Sequence, residues 1–309
     1  MAFAFLFPGQ GSQSLKMMDG FADLPVVKHT FEEASTALGV DLWAMLQADS
    51  AEAINATVNT QPIMLAAGVA TYLAWQEVGG QQPSVVAGHS LGEYTALVAA
   101  GALPFAEAVK LVRLRAEAMQ NAVPAGQGAM AAILNLSDDE VRAACAEAAN
   151  GEVVEAVNYN SPGQVVIAGS KAAVERAMEA CKAHGAKRAL PLPVSVPSHC
   201  ALMKPAGMQL AEALLQVHIN TPAIPVLHNA DVVSYSDAAD IRDALVRQLY
   251  SPVRWTETIQ KLAADGIVSM AECGPGKVLA GLAKRIDGNV KCLALTDAAA
   301  LEAAKAELQ

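Results

Sequence analysis

The pentapeptide at residues 88–92 (GHSLG) has the G-x-S-x-G pattern, which in many enzymes exposes a nucleophilic serine. An apolar run before it predicts a strand over 84–87, and the pattern after it predicts a helix over 93–100. A sharp turn in this context places the hydroxyl at a helix N-terminus, where backbone N–H groups favour developing negative charge. Ser90 is therefore a candidate nucleophile, although the same pattern without this context is often an ordinary tight turn.

A nucleophilic serine needs a base, and His199 is the best candidate of the six histidines. It lies in a loop, residues 196–200 (VPSHC), that leads back toward the part of the fold containing Ser90. His89 adjoins Ser90 and is expected to point away from it. Without Ser90, the default interpretation of His199 would be a capped or core histidine.

Two polar residues fall on apolar faces of predicted helices. In the helix predicted over 105–122, Arg115 lies on the apolar stripe and Arg113 lies off it. In the helix predicted over 241–250, Gln248 lies on the stripe. Both side chains are expected to be buried and to need partners. A structural salt bridge or a ligand carboxylate would satisfy Arg115 equally well, and Gln248 is equally consistent with a satisfied structural amide.

Two glycine-rich turns resemble nucleotide-binding motifs but do not match them. Residues 9–13 (GQGSQ) are followed by Ser14 where the dinucleotide motif needs its last glycine, and residues 274–277 (GPGK) are followed by Val278 where a P-loop needs Ser or Thr. A turn directly after the first predicted strand can instead direct a backbone N–H, that of Gln10, toward an oxyanion.

The composition predicts a globular protein without nucleic-acid or membrane partners. Of 309 residues, 53% are hydrophobic and 17% are charged, which suits a large core. The net charge of −10 offers no global basic field for a polyanion. The longest apolar stretch, 96–106, is shorter than the ~18 residues of a membrane span, and residues 1–7 suggest a buried strand rather than a signal peptide.

The cysteines and possible ligand residues give no indication of a metal site. Five cysteines, an odd number without a C-x-x-C pair, argue against a disulfide framework or a zinc knuckle and favour a reducing, cytoplasmic location. No His, Cys or carboxylate pair has metal-ligand spacing. We therefore expect no metal and no other cofactor.

The order of predicted elements divides the chain into two domains. Strands alternating with helices predict an α/β domain with a parallel sheet over residues 1–125 and 196–309. Residues 126–195 predict the ferredoxin-like order β-α-β-β-α-β, with a capping box at Ser137 and Glu140 and a turn at 160–163 (NSPG). The predicted small-domain strands cover 129–136, 153–158, 164–169 and 187–192, and its helices cover 138–149 and 171–184. A last helix is predicted after residues 274–276, before an alanine-rich tail.

Taken together, several motifs closely resemble the bacterial malonyl-CoA:acyl carrier protein transacylase family over nearly the whole chain. They are residues 7–13 (FPGQGSQ), 88–94 (GHSLGEY), Arg115, 158–169, 195–202, 247–250 (RQLY) and 274–277 (GPGK). The resemblance implies an α/β-hydrolase-like large domain interrupted by the ferredoxin-like domain, with the active site in the cleft between them. It also implies that Ser90 is the nucleophile, that His199 is its base, and that the backbone carbonyl of Gln248 orients His199.

The resemblance further implies the substrates and their binding groups. The N–H groups of Gln10 and Leu91 would form the oxyanion hole, and Arg115 would bind the malonyl carboxylate. The partners would be malonyl-CoA and holo acyl carrier protein, in fatty acid biosynthesis. A branched residue at Leu91 accompanies malonyl rather than methylmalonyl selectivity in relatives. Lys16 departs from the family pattern, which usually has glycine there, and this leaves the shape of its loop open.

Two other functions remain open at this level. A serine hydrolase would normally place an acid between serine and histidine in chain order, and Asp138 and Asp139 lie in that interval but in the small domain's first predicted helix. A non-catalytic subunit that binds the carrier would not need both Ser90 and His199. A basic cluster is a candidate docking site for an acidic carrier, although such residues usually form a solvated face. Its members are Lys182, Lys187, Arg188, Lys284 and Arg285.

Overall fold

The structure is a computed structural model that describes residues 2–194 and 196–308. Its strands are β1 (Phe3–Phe7), β2 (Val85–Gly88), β3 (Gly128–Leu134), β4 (Val154–Ser161), β5 (Gln164–Ser170), β6 (Arg188–Pro191), β7 (Val226–Leu227), β8 (Ser269–Glu272) and β9 (Lys291–Ala294). Its α-helices are α1 (Pro25–Leu38), α2 (Leu42–Leu46), α3 (Glu52–Asn55), α4 (Thr57–Glu77), α5 (Gly92–Ala99), α6 (Phe105–Asn121), α7 (Asp138–Ala149), α8 (Lys171–Ala183), α9 (Lys204–Leu214), α10 (Ala238–Gln248), α11 (Trp255–Ala264), α12 (Val278–Ile286) and α13 (Ala298–Leu308).

The larger sheet is parallel and has the strand order β7-β2-β1-β8-β9. In β1, Phe3, Phe5 and Phe7 pack into the core on one face, whereas Ala4 and Leu6 pack into the core on the other. Burial on both faces explains why a central strand of this sheet is a continuous apolar run. The predicted α/β class, with a parallel sheet covered on both sides, is confirmed.

Helix α4 packs inside the larger core and is apolar on nearly all sides. Its few polar residues are therefore informative, and one of them, Gln61, is only 1% exposed. Among the helices of the described residues, none is both long and apolar enough to cross a membrane.

The smaller sheet is antiparallel and has the order β4-β5-β3-β6, the arrangement of a ferredoxin-like unit. Helices α7 and α8 bury their apolar faces against it, and the predicted capping box of Ser137 and Glu140 is present. Strand β3 stops before the predicted boundary because Asn135 has a φ of 65°, which breaks the extended backbone. The predicted domain boundaries, 126 and 195, stay a prediction.

The helix predicted after residues 274–276 is present as α12, but the prediction that it is the last element before the tail is wrong. Helix α12 is followed by β9, which pairs with β8, and by α13 in the alanine-rich tail. Three residues of α13, Leu301, Ala304 and Leu308, are buried in the larger core. The sequence obscures this helix because alanine forms helices well on either face and gives little contrast between a buried and an exposed side.

Candidate active site

The turn between β2 and α5 holds Ser90 in the left-handed region, with a φ of 53°. A Cβ added to Gly88 would lie 1.9 Å from the carbonyl carbon of Gly92, and one added to Gly92 would lie 2.1 Å from the carbonyl oxygen of Phe7. Neither position therefore accepts a larger residue without moving the backbone. The two glycines of the pattern are required by these close approaches, and the turn they permit leaves the Ser90 hydroxyl exposed to a cleft.

His199 lies within hydrogen-bonding distance of Ser90. Its Nε2 is 2.8 Å from the Ser90 Oγ, and its Nδ1 is 2.7 Å from the backbone carbonyl oxygen of Gln248. Because a carbonyl oxygen only accepts, Nδ1 carries the proton and the lone pair of Nε2 faces the serine hydroxyl. The backbone N–H of His199 also donates to the carbonyl of Leu249, so the end of α10 holds both its main chain and its ring.

The surroundings of His199 keep its imidazole neutral. Burial, and secondly the positive charge of Arg115, lower its pKa to about 3. A neutral imidazole at physiological pH is the form that accepts a proton. Cys200 adjoins His199 but is buried, which raises the pKa of its thiol to about 12 and leaves little thiolate.

Arg115 points inward from α6, as the periodicity predicts, and is only 1% exposed. Its Nη1 donates to Oε1 of Gln61 at 2.8 Å. Its Nη2 lies 3.0 Å from Oε1 of Gln248 and 3.3 Å from Oγ of Ser90. The guanidinium lies over the ring of Tyr94, with its Cζ atom 5.4 Å from the ring centre. Arg115 is therefore held by neutral groups beside the serine.

No carboxylate in residues 2–194 and 196–308 forms an ion pair with Arg115, and its buried Nε has no hydrogen-bond partner there. By contrast, Arg113 is half-buried and pairs with Glu117. The structural salt bridge considered for Arg115 is thus absent from the described residues. A buried cation with a free donor can bind an anionic group of a ligand.

Gln248 is also buried, as predicted, and both ends of its side chain are used. Its Oε1 accepts from Arg115, and its Nε2 donates to the backbone carbonyl of Ser90 at 2.8 Å. Together with its backbone carbonyl, which faces His199, the residue contacts three members of the site.

Gln10 and Leu91, the two residues predicted to form the oxyanion hole, both line the same cleft. The turn after β1 contacts the serine turn so closely that a Cβ on Gly9 would lie 2.5 Å from the carbonyl oxygen of His89. Within the described residues, neither the Gln10 nor the Leu91 N–H donates a hydrogen bond. Two uncommitted donors near a nucleophile can stabilise a tetrahedral oxyanion.

The cleft beside Ser90 is lined by residues that pack near the larger sheet and by residues that pack near the smaller one. They are Gln10, Thr57, Gln61, His89, Ser90, Leu91, Arg115, Met119, Met130, Asn158, Leu192, Val194, Val196, Ser198 and His199. In the part of the chain that the structure describes, no group of three or more His, Cys, Asp or Glu residues is arranged to hold a metal ion.

His89 does not contact the reacting pair. Its Nε2 lies 2.8 Å from Oδ1 of Asn160, which belongs to β4, so it links the serine turn to the smaller sheet. Lys16 has a φ of 59° and donates its N–H to the carbonyl of Leu46. Its loop therefore adopts the left-handed backbone that glycine favours, despite the lysine.

Glu93, His228 and Asn229 form a buried group that supports the serine turn and that the sequence did not predict. Asn229 accepts the Ser90 N–H and donates to the Gly88 carbonyl. The only local signal was a carboxylate, Glu93, in the first turn of an otherwise apolar helix.

Comparison with known proteins assigns the chain to a family, because the acyl transferase domain family matches residues 4–288. The chain belongs to this acyl transferase family. Among acyl transferases, the malonyl CoA-acyl carrier protein transacylase of Escherichia coli (strain K12) is 58% identical over 303 residues, which cover 98% of each chain.

Solved structures of acyl transferases match equally well. An acyl carrier protein S-malonyltransferase from Vibrio cholerae has a TM-score of 0.97 and 57% identity, covering 99% of this chain and 100% of its own. A malonyl-transacylase in complex with its type II PKS acyl-carrier protein has a TM-score of 0.98 and 54% identity, with the same coverage.

Proposed function

We propose that this acyl transferase is a cytoplasmic malonyl-CoA:acyl carrier protein S-malonyltransferase of fatty acid biosynthesis. The observation that carries the proposal is the buried Arg115, which lies 3.3 Å from the Ser90 hydroxyl and has no carboxylate partner in the described residues. An acyl group that ends in a carboxylate supplies the missing anion while its thioester reaches Ser90. The names of the relatives, which are malonyl transferases acting with acyl carrier protein, support the same substrates.

In the first half-reaction, Nε2 of His199 takes the proton of the Ser90 hydroxyl as the oxygen attacks the thioester carbonyl. The N–H groups of Gln10 and Leu91 stabilise the oxyanion of the tetrahedral intermediate. The C–S bond then breaks, coenzyme A leaves as a thiol with the proton from His199, and malonyl remains as an ester on Ser90.

In the second half-reaction, His199 takes the proton of the carrier's phosphopantetheine thiol, and the sulfur attacks the ester carbonyl. The C–O bond to Ser90 breaks, and the proton on His199 returns to the serine oxygen. A thioester is consumed and another is formed, so the whole reaction is readily reversible. Arg115 and Gln248 keep their contacts to the acyl group and the base throughout.

The hydrogen-bond partner of His199 gives less support to the rival hydrolase function. The partner of the His199 Nδ1 is the carbonyl of Gln248, and Asp139 pairs with Arg142 on the surface of the smaller unit. A hydrolase must also admit water to the acyl-serine, whereas a transferase must exclude it until a thiol arrives.

The direct test is transfer of labelled malonyl from malonyl-CoA to a holo acyl carrier protein, with Ser90→Ala as the control. We expect fast transfer by the wild type and slow hydrolysis when the carrier is omitted. Intact-mass analysis without carrier should show a malonyl adduct that peptide mapping places on Ser90. Hydrolysis as fast as transfer, an adduct on a cysteine, or an adduct retained in Ser90→Ala would overturn the proposal.

A further inference from the structure

We propose that Asn229 is a positioning residue that holds Ser90 in its reactive conformation, together with Glu93. The inference rests on the proposed role of Ser90 as nucleophile but concerns a residue outside the cleft. Asn229 is 1% exposed and follows β7 at the edge of the larger sheet.

The side chain of Asn229 matches both polar groups of the serine turn. Its Oδ1 accepts the backbone N–H of Ser90 at 2.7 Å, and its Nδ2 donates to the carbonyl of Gly88 at 2.6 Å. The two partners fix the orientation of the amide, because one can only donate and the other can only accept. With the Ser90 N–H directed to Asn229, the next amide, that of Leu91, is left free to face the cleft.

Glu93 fastens Asn229 to the helix that follows the serine. Its Oε2 accepts the backbone N–H of Asn229 at 2.8 Å, and its Oε1 lies 2.8 Å from Nδ1 of His228. Both side chains of the Glu93–His228 pair are essentially inaccessible. The hydrogen bonds therefore form a closed circuit from α5 through Glu93 and Asn229 back to Ser90.

The loop carrying Asn229 is itself anchored. Val232 adopts a φ of 58°, an unfavourable backbone for a β-branched residue, and its N–H donates to the carbonyl of His228. Asp231 forms two hydrogen bonds with Arg247 at 2.6 and 2.7 Å. Arg247 directly precedes Gln248, so one loop connects the serine turn with the end of α10 that holds His199.

A left-handed serine is unfavourable unless its surroundings impose it, so losing these hydrogen bonds should let Ser90 relax away from His199. The predicted effect is on the chemical step and not on the binding of malonyl-CoA, because Asn229 does not line the cleft. Asn229→Ala removes both side-chain hydrogen bonds. Asn229→Asp keeps the acceptor for Ser90 but offers no donor to Gly88 when it is ionised.

Two rates test the proposal. The first is labelling of Ser90 by a fluorophosphonate, in which an O–P bond forms, the P–F bond breaks and His199 takes the serine proton. The second is single-turnover acylation at saturating malonyl-CoA. Both rates should fall about ten- to a hundredfold in Asn229→Ala and Asn229→Asp, with the Kd for malonyl-CoA changed less than about threefold.

The matched control is Leu301→Ala, which opens a cavity in the same core from α13 and makes none of these hydrogen bonds. It should lower the stability to urea while both rates stay at the wild-type value. If Asn229→Ala fails to fold, Glu93→Gln tests the same circuit and should give a smaller loss of the same rates, because its amide keeps one acceptor.

The proposal is overturned if folded Asn229→Ala, or Glu93→Gln in its place, is labelled at the wild-type rate. A slowing in Leu301→Ala equal to that in the Asn229 variants also overturns it, since the effect would then follow from stability alone. A wild-type enzyme that the fluorophosphonate does not label overturns it as well. Labelling of the wild type that depends on Asn229, without malonyl transfer, would contradict the proposed function and leave the role of Asn229 standing.

Discussion

The guanidinium of Arg115 donates toward Oγ of Ser90 over 3.3 Å, and both side chains face the same cleft. This contact places a buried positive charge beside the candidate nucleophile. The charge of Arg115 also lowers the pKa of His199 and is the second cause of this shift after burial. The same charge can therefore select an anionic acyl group and, together with burial, keep the base unprotonated.

Arg115→Ala should reduce kcat/KM for malonyl transfer about a hundredfold to several thousandfold, the cost of removing one partner of a buried ion pair (roughly 3 to 5 kcal/mol). Acetyl transfer should be unchanged or improved, because acetyl brings no carboxylate. Arg115→Lys should recover little, since an ammonium lacks the planar fork. The measurement is transfer of each acyl group by variants shown to fold by circular dichroism.

Arg113→Ala is the matched control on the same helix, because Arg113 is half-buried, pairs with Glu117 and donates to the start of α4, but does not line the cleft. It should leave both activities nearly unchanged. Equal losses for malonyl and acetyl in Arg115→Ala would instead identify Arg115 as a structural residue.

Gln248→Ala should be milder than His199→Ala, because the carbonyl that holds the imidazole belongs to the backbone and survives the substitution. Removing the base should cost about a hundredfold to ten-thousandfold in kcat. The Gln248 side chain contacts both Arg115 and the Ser90 carbonyl, so its loss should raise the KM for malonyl-CoA and lower kcat by less than the loss of the base does. Steady-state kinetics of both variants decide the matter, and equal losses in kcat would show that the side chain itself orients the base.

The acylation rate should not titrate near pH 6.5, the ordinary pKa of histidine. Because the pKa of His199 is lowered to about 3, the base stays neutral as the pH falls from 8 to 5 and the rate should stay flat. Arg115→Ala removes a positive charge and should move the acid limb to higher pH. The pH dependence of acylation at subsaturating malonyl-CoA reports the free enzyme and measures it across this range. A wild-type midpoint between 6 and 7 would refute the expectation.

Glu272→Gln should stabilise the protein more at pH 8 than at pH 5. Burial raises the pKa of Glu272 to about 7, above its ordinary value of 4.5. Between these two values the folded state holds more protons than the unfolded state, so the wild type loses stability as the pH rises, by at most about 3 kcal/mol. Glutamine does not titrate and lacks this loss. Urea unfolding of both proteins at pH 5 and pH 8 tests this prediction. A difference in the free energy of unfolding that does not change with pH would contradict it.

Local features of the site could be predicted from the amino-acid sequence. The glycines around Ser90 predict the turn because only glycine permits the backbone contacts at 88 and 92. Helical periodicity predicted that Arg115 is buried, which the structure confirms, and that Arg113 lies off the apolar stripe, where the structure shows it half-buried and paired with Glu117. The order of elements was also sufficient to predict the ferredoxin-like sheet, since turn residues and alternating patterns are local signals.

The contacts between these residues, which are distant in the chain, could be seen only in the tertiary structure. Three features depend on groups far apart in the chain. They are the lack of an ion pair at Arg115 among residues 2–194 and 196–308, the contact of His199 with the backbone carbonyl of Gln248, and the support of Ser90 by Asn229. Ser90 and Asn229 are separated by 139 residues, and nothing near either position indicates the other. The alanine-rich helix α13 was missed for a related reason, because its place in the core is set by the surface it covers and not by its own hydrophobic contrast.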